Sequence, residues 1–572
     1  MNLKRINLCV AFFFLCIHLS NANIIYVGIS KVGEANGSLE NPFQSISQAL
    51  QATRSLEKRK KRIHIKDPIT LYLKETIRLD ERDSFLEISG VKGSQINGGK
   101  KVQDWRKTND GLWLAKCPTG SVPRELFLNG TALQRARFPD SGWLRIEKSL
   151  PDRRSGFWFR KNELPSRLKN STNLELLFLH DWSISRMPVR EIDFENSILY
   201  SKFPIGCSAP HYAIDHFEKN PRYSLVGSVD LIDKAGEWAF NKGKLFYKPY
   251  PKEKIAESNF VIPHLEQLLL IQPSETDKSI TNLKISGITF SVCRFDLPIK
   301  GYASGQATIH EHRDGSGKSG RKMMPTAVRL EGTFDSSFQN CKFTNLGGSG
   351  LWVGRNCRNV TISDSLFQNI AGNGINIGET DQHLPARNVE IINSQVQRCG
   401  NQFYGSVGVW LGMAENCKIE RCEISQLPYT GISLGWKWDD TPTVARNHKI
   451  SNNHIHHVMQ ILSDGGGIYT LGRQPGSILS ENQIHHIPLN AGRAQSNGIF
   501  MDQGSSAFTV RNNTIHHIAK SPIRFHKAKE NLIKENALGV GSGEEAFTFN
   551  STPKELIVLE KNKVTPNKSL TE

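Results

Sequence analysis

Beyond its N-terminal segment, this 572-residue chain has no run of about 18 uninterrupted apolar positions, so no membrane-spanning helix is expected. It has no low-complexity tract, which sets aside the disordered class. It has no CxxC pair and no Cys/His spacing of the zinc-binding kind, and no metal is expected. Acidic side chains are the minority, 55 against 72 basic ones, and the formal charge is +17. The C-terminal half lacks a helical period between its strand-like units, which excludes leucine-rich and helical repeats. It also lacks the four-strand unit of a propeller blade.

What is present starts with an export signal. "MNLKRINL" is basic, "CVAFFFLCIHL" is apolar but too short to cross a bilayer, and "SNA" ends at Ala22. Cleavage after Ala22 is expected, giving a secreted or periplasmic protein. Loss of Lys4 and Arg5 lowers the charge by two, and the mature chain stays basic enough to attract a polyanion. Outside the cytoplasm an acidic or sulfated polysaccharide suits that role better than nucleic acid. Runs such as "EKRKKR" (57–62) also read as a simple solvated face. Cys117, Cys207, Cys293, Cys341, Cys357, Cys399, Cys417 and Cys422 remain, and an even count in an oxidising compartment permits disulfides. Their recurrence in "NCKF", "NCRN" and "NCKI" equally suits small buried residues stacked in a repeat.

Two interleaved repeats decide the architecture. "NNHIHHV" from Asn452, "ENQIHHI" from Glu481 and "NNTIHHI" from Asn512 recur at 29 and 31 residues. Between them run "GLWVG" from Gly350, "GINIG" from Gly374, "GVWLG" from Gly408, "GISLG" from Gly431, "GIYTLG" from Gly467 and "GIFMDQG" from Gly498. Each is a short strand with alternating apolar positions, bounded by Gly or Asn. Short strands, Asn/Gly corners and variable insertions predict an all-β, right-handed parallel β-helix, with coils stacked at about 4.8 Å. Ile375/Ile377, Val409/Leu411, Ile432/Leu434 and Ile499/Met501 are the expected inward residues. The paired histidines are expected to stack beside the Asn corner, one imidazole inward and one outward, with His456 a candidate lining residue of a groove.

The expected organisation is a cap and first coils over 23–120, an inserted antiparallel β-domain over 121–262, the main β-helix over 263–564 and a polar tail over 565–572. "NPFQSISQAL" reads as a short capping helix. Hairpin turns in "RELFLNGTALQRARFPDSGW" and "GEWAFNKGKLFYKPYP" mark the insertion.

Several segments recur in order in one known group: "IIYVGIS", "INGGKKVQDW", "NGTALQRARFPDSGW", "LGGSGLWVG", "YTGISLGWKW", "LSDGGGIYTLGRQPG" and "FMDQGSSAFTVRNNTI". With them the chain resembles bacterial right-handed β-helix carbohydrate-active enzymes, most closely glycoside hydrolase family 141. The resemblance implies hydrolysis of glycosidic linkages, fucosyl or xylosyl in that family. It implies catalysis by two aspartates of the late coils, matched here by Asp464 and Asp502. Where relatives often follow the second aspartate with an acid, this chain has Gln503.

The residues support that chemistry independently. Glycoside hydrolysis commonly uses one protonated and one ionised carboxyl. Alternation in "GIFMDQG" turns Ile499 and Met501 inward and Asp502 outward. Asp464 lies in the corner before its strand, and the glycines after it are read as a cleared floor for a sugar ring. In a fully extended register the two acids lie about seven residues apart along the strand, too far for a shared bond. A fold-back at Asp464 is therefore required, or a different acid: Glu379, Asp439 or Asp440. Trp410, Trp436 and Trp438 are read as sugar-stacking faces, and Tyr469, Arg524 and His526 as outward binding residues, Arg524 as a clamp for an anionic substituent. A poly- or oligosaccharide is the expected partner of a monomer using no cofactor, with no nucleic acid bound and no membrane insertion. Two other readings stand beside this one: a β-helix lyase using Arg524 and Lys527, and a non-catalytic glycan-binding β-helix.

Overall fold

The computed structural model describes residues 23–30, 34–56, 60–216, 218–490, 492 and 494–567. The expected export signal and the end of the polar tail lie outside that set.

Three long parallel sheets, of 15, 12 and 11 strands, form the faces of a β-helix, and each complete coil gives one strand to each face. One late coil supplies Lys449–Ser451 to the first face, His454–His456 to the second and Gly465–Thr470 to the third. The next supplies Arg473–Ser480, Gln483–Ile487 and Ser496–Met501, and the one after it Ser506–Arg511, Thr514–Ile518 and Ile523–His526. In-register stacking sends the same position of every coil into one column. Ile391, Ile419, Ile450, Leu479, Val510 and Ile533 form such a column on the first face, all fully buried. The third face carries Ile375, Val409, Ile432, Ile468, Ile499 and Ile523. Each such side chain contributes roughly 1.5–3 kcal/mol by leaving water. The inward alternation read from the sequence is the alternation found.

The glycine series has a specific cause. A Cβ on Gly431 would stand 2.5 Å from the carbonyl oxygen of Gly467, and one on Gly467 2.9 Å from that of Gly498. Gly350, Gly374 and Gly408 meet the next coil in the same way. This column is where successive backbones turn in closest contact, so no side chain fits.

The second repeat builds two further ladders. Asn453, Asn482, Asn513, Asn536 and Asn562 stack as amides, each Nδ2 donating at 2.9 Å to the Oδ1 of the next. The histidines stack as rings: His456, His485 and His516 at 5.2 and 5.0 Å, and His457, His486 and His517 at 4.9 and 5.1 Å. Both imidazoles of a pair lie outside the cylinder, which corrects the in-and-out expectation. The second histidine is left-handed (φ 51, 55 and 51°) and turns the corner, so the next residue, Val458, Ile487 or Ile518, enters the core instead.

The eight cysteines are buried and unpaired. Of the two possibilities the sequence left open, the small-buried-residue packing is the one found. At the N-terminal end, helix Ile46–Arg54 packs its Ile46, Ala49, Leu50 and Thr53 face against the first strands, with Ser45 accepting the Gln48 N–H at its N-terminus. Antiparallel pairing begins at Gly99–Val102, which pairs with Phe260–Pro263. It includes Trp113–Lys116 against Lys244–Tyr247. It returns in Tyr302–Gln306, paired with Ile184–Asp193. Antiparallel strands thus lie on both sides of residues 121–262, at Gly99–Val102, Arg106–Lys107 and Trp113–Lys116 before it and at Tyr302–Gln306 after it.

Several buried histidines are held neutral. Burial pushes His180 and His485 down to about 3, and His310 and His448 down to about 4. The unfolded value is about 6.5, so below it the unfolded chain binds more protons. Stability from these groups is complete above about pH 6.5 and is lost as pH falls toward 3–4. The urea midpoint is expected to drop steadily from pH 7 to pH 4, with a shallower slope in His448→Asn. A flat midpoint over that range would contradict the buried neutral state.

Candidate active site

A cavity of about 550 Å³ opens where the late coils of the third face meet the insertion. Its floor is built by register. Tyr469, Phe500 and Arg524 sit side by side on consecutive coils, outward because Ile468, Ile499 and Ile523 are inward; Tyr469 and Arg524 line the cavity, and Phe500 is fully buried between them. Asp502 and His526 follow at the same level. Trp182, His211 and Tyr212 from the insertion, with Gln306 and Arg321, form the facing wall. Trp182 Nε1 and Tyr212 Oη both donate to the Gly305 carbonyl, at 2.8 and 2.9 Å, which ties that wall together.

Asp464 and Asp502 line this one cavity in different environments. Asp502 accepts from Tyr469 Oη at 2.6 Å, and His526 Nδ1 lies 2.6 Å from its other oxygen. With the carboxylate as acceptor, Nδ1 of His526 carries the hydrogen. Asp464 Oδ1 receives Arg524 Nη1 at 3.1 Å. Burial outweighs that guanidinium, and with the Asp502 charge nearby the Asp464 carboxyl is raised to about 6. Arg524 is itself fixed, with Nε on Asn550 Oδ1 at 2.9 Å and its plane 4.2 Å over Phe500. The phenol groups of Tyr469 and Tyr429 are pushed well up by burial and stay protonated donors.

The fold-back that the extended register required is present at Asp464. Its φ is 58°, its N–H donates to Gln495 O at 3.1 Å, and its carbonyl accepts Tyr429 Oη at 2.9 Å. The glycines that follow serve this bend rather than a sugar. Cβ atoms on Gly465 and Gly466 would strike Thr430 Oγ1 at 2.4 Å and Asn497 O at 2.8 Å, so they are bare for close protein packing.

Tyr469, Arg524, His526 and Trp438 line the cavity with the two aspartates, and Gln503 joins them. Trp410 does not: it is fully buried, because the chain after Leu434 lays Trp436 edge-on against it at 5.7 Å. Trp436 is half-buried between Trp410 and Trp438 and does not reach the cavity. His456 belongs to the second face, stacked in the histidine ladder with Glu423 at 3.4 Å, and is away from the aspartates. Glu379 follows a strand four coils earlier and is raised to about 7 by burial. Asp439 and Asp440 are exposed, with Asp439 paired to Lys437 at 3.2 Å. Lys527 is exposed outside the lining. Sequence reading missed Trp182, His211, Tyr212, Gln306, Arg321 and Tyr429. Only Tyr429 carried a signal, its place two residues before Gly431 of the glycine series. Among the described residues, Asp140, Asp233 and Glu237 bring three carboxylates within 4.8 Å, but Lys234 Nζ already holds Asp140 at 2.6 Å.

Comparison places the fold among known ones. The family model described as "Right handed beta helix region" matches residues 326–457 and 385–570, which supplies the hand of the solenoid: the chain is a right-handed parallel β-helix with inserted antiparallel sheets. No curated protein matches by sequence. A solved structure named "Glycoside hydrolase" is similar over 95% of this chain and 97% of its own, with TM-score 0.78 and 22% identity. The GH136 lacto-N-biosidase from Eubacterium ramulus is more remote, at 10% identity and TM-score 0.44 over 95% of this chain and 68% of its own. The A-module of the mannuronan C-5 epimerase AlgE4 from Azotobacter vinelandii matches 53% of this chain and 75% of its own, at 12% identity and TM-score 0.36.

Proposed function

We propose that this protein is an exported glycoside hydrolase acting on an acidic or sulfated polysaccharide, with Asp464 as general acid and Asp502 as its ionised partner. The observation that carries the reading is the pairing of two aspartates in one cavity under opposite conditions. Asp464 keeps its proton up to about pH 6, while Asp502 faces two donors. Asp464 gives its proton to the glycosidic oxygen as the anomeric C–O bond breaks. Asp502 stabilises the positive anomeric centre, by attacking it or by taking the proton of an attacking water. Tyr469 and His526 hold Asp502 in place, and Arg524 positions Asp464. Trp438 offers an aromatic face to a sugar ring. The nearly full-length likeness to a structure named as a glycoside hydrolase adds support.

The test is to incubate the purified protein with acidic, sulfated and fucosylated glycans and follow the products. Hydrolysis gives new reducing ends without the ultraviolet absorbance of an unsaturated uronate; appearance of that absorbance would mean a lyase. The rate is expected to fall as pH rises through about 6, where Asp464 loses its proton. A rate still climbing well above that pH would remove Asp464 from the acid role.

A further inference from the structure

A second cavity, of about 750 Å³, lies between the insertion and the early coils and shares no lining residue with the aspartate cavity. Its floor is the outward side of the second face, including Thr70–Tyr72, Gln95–Asn97 and Lys342–Leu346. The insertion's Phe127–Leu128 and Thr131–Ala132 strands form a wall. Its lining is rich in side-chain amides: Gln95, Asn97, Asn129, Asn345, Gln368 and Asn401. Amides donate and accept together, which matches the hydroxyl groups of a sugar.

A smaller chamber of about 260 Å³ adjoins it along Glu125, Ala132, Asn401 and Gln402. This chamber is cationic. Arg124, Arg135 and Arg186 converge on one carboxylate, Glu175, with Arg124 at 2.8 and 3.1 Å and Arg135 at 3.0 Å. Arg137 adds a fourth guanidinium, 5.2 Å over Trp143. One carboxylate does not balance this set, and burying excess charge is expensive unless a counter-ion joins it. Glu125 does little to cancel it, since burial raises its carboxyl toward the neutral form. Two groups lining the chamber are short of partners. Arg124, 7% exposed, has an unpartnered Nε, and Glu125, also 7% exposed, has an unpartnered Oε2.

We propose that these adjoining cavities form a second glycan site. The amide-lined cleft holds a stretch of sugar, and the arginine chamber receives its carboxylate or sulfate. The proposal rests on the reading of the protein as a glycan enzyme but involves none of its catalytic groups.

The test is titration calorimetry of the full chain with tetragalacturonate, a sulfated tetrasaccharide and neutral cellotetraose. Two variants accompany it: Arg137→Gln, which removes the guanidinium not tied to Glu175, and Thr131→Trp, which obstructs the cleft from an exposed position. At least one acidic ligand is expected to bind about tenfold or more tighter than the neutral one, and each variant to weaken it by a similar factor. Preference for the uronate or for the sulfate identifies the substituent. Turnover of a small aryl glycoside at the aspartate cavity is expected to stay unchanged in both variants. Acidic binding that is no tighter than neutral binding, or that survives both variants, overturns the second site whatever the enzyme hydrolyses. If the binding pattern holds and no glycoside is turned over, the site stands and the hydrolase reading falls.

Discussion

Asp464→Asn is expected to lower kcat/KM on a natural glycan by about 10²–10⁴-fold, the usual range for loss of a general acid. The same variant should lose far less on an aryl glycoside whose leaving group departs without a proton. Asp502→Asn should be equally inactive on both substrates, since its carboxylate is needed whatever leaves. The geometry explains the asymmetry: Asp464 is half-buried beside Arg524 and holds a proton to about 6, whereas Asp502 is fixed by Tyr469 and His526. The measurement is steady-state kinetics of both variants on both substrates, with circular dichroism confirming that each is folded. If leaving group makes no difference to Asp464→Asn, the two roles are assigned wrongly.

The largest stability effect is expected at the amide ladder. Asn482 Oδ1 accepts from both the N–H and the Nδ2 of Asn453, and Asn482 Nδ2 donates to Ile450 O and to Asn513. Asn482→Leu strips the Asn453 N–H of its acceptor and removes one bond each from Asn453 Nδ2, Ile450 O and Asn513 Oδ1, while Asn453 Nδ2 keeps Ile419 O and Asn513 Oδ1 keeps the backbone N–H of residue 482. A buried group left without a partner costs about 1–3 kcal/mol. A loss of about 3–5 kcal/mol is therefore expected, seen as a lowered urea midpoint. Asn562, half-buried at the end of the ladder, is the comparison. Water reaches Asn562 itself and can replace part of its bonding, so Asn562→Leu should cost about 1 kcal/mol. Equal losses at both positions would show that the ladder adds nothing beyond local contacts.

The solenoid was legible because each of its ladders writes a periodic mark: Gly431 and Gly467 for the tight turn, Asn453 and Asn482 for the amide stack, Ile468 and Ile499 for the core. Half of the cavity was legible for the same reason, since Tyr469, Asp502, Arg524 and His526 occupy fixed offsets from those marks. Trp410 was misread because alternation says only that a side chain leaves the cylinder, not that Trp436 will cover it. His456 was misplaced because the coil repeat does not say which face a residue shares with the aspartates. Trp182, His211 and Tyr212 were invisible because their approach depends on how the insertion docks, a contact between segments nearly 300 residues apart that carries no local pattern.

The aspartate cavity therefore has two walls of different evolutionary freedom. The wall bearing Asp464 and Asp502 is woven into stacked columns, where any change of spacing would disturb every neighbouring turn. The wall bearing Trp182, His211 and Tyr212 hangs on strands outside that lattice. The lining of that wall can change by altering the insertion alone, while the two aspartates stay where the coils hold them.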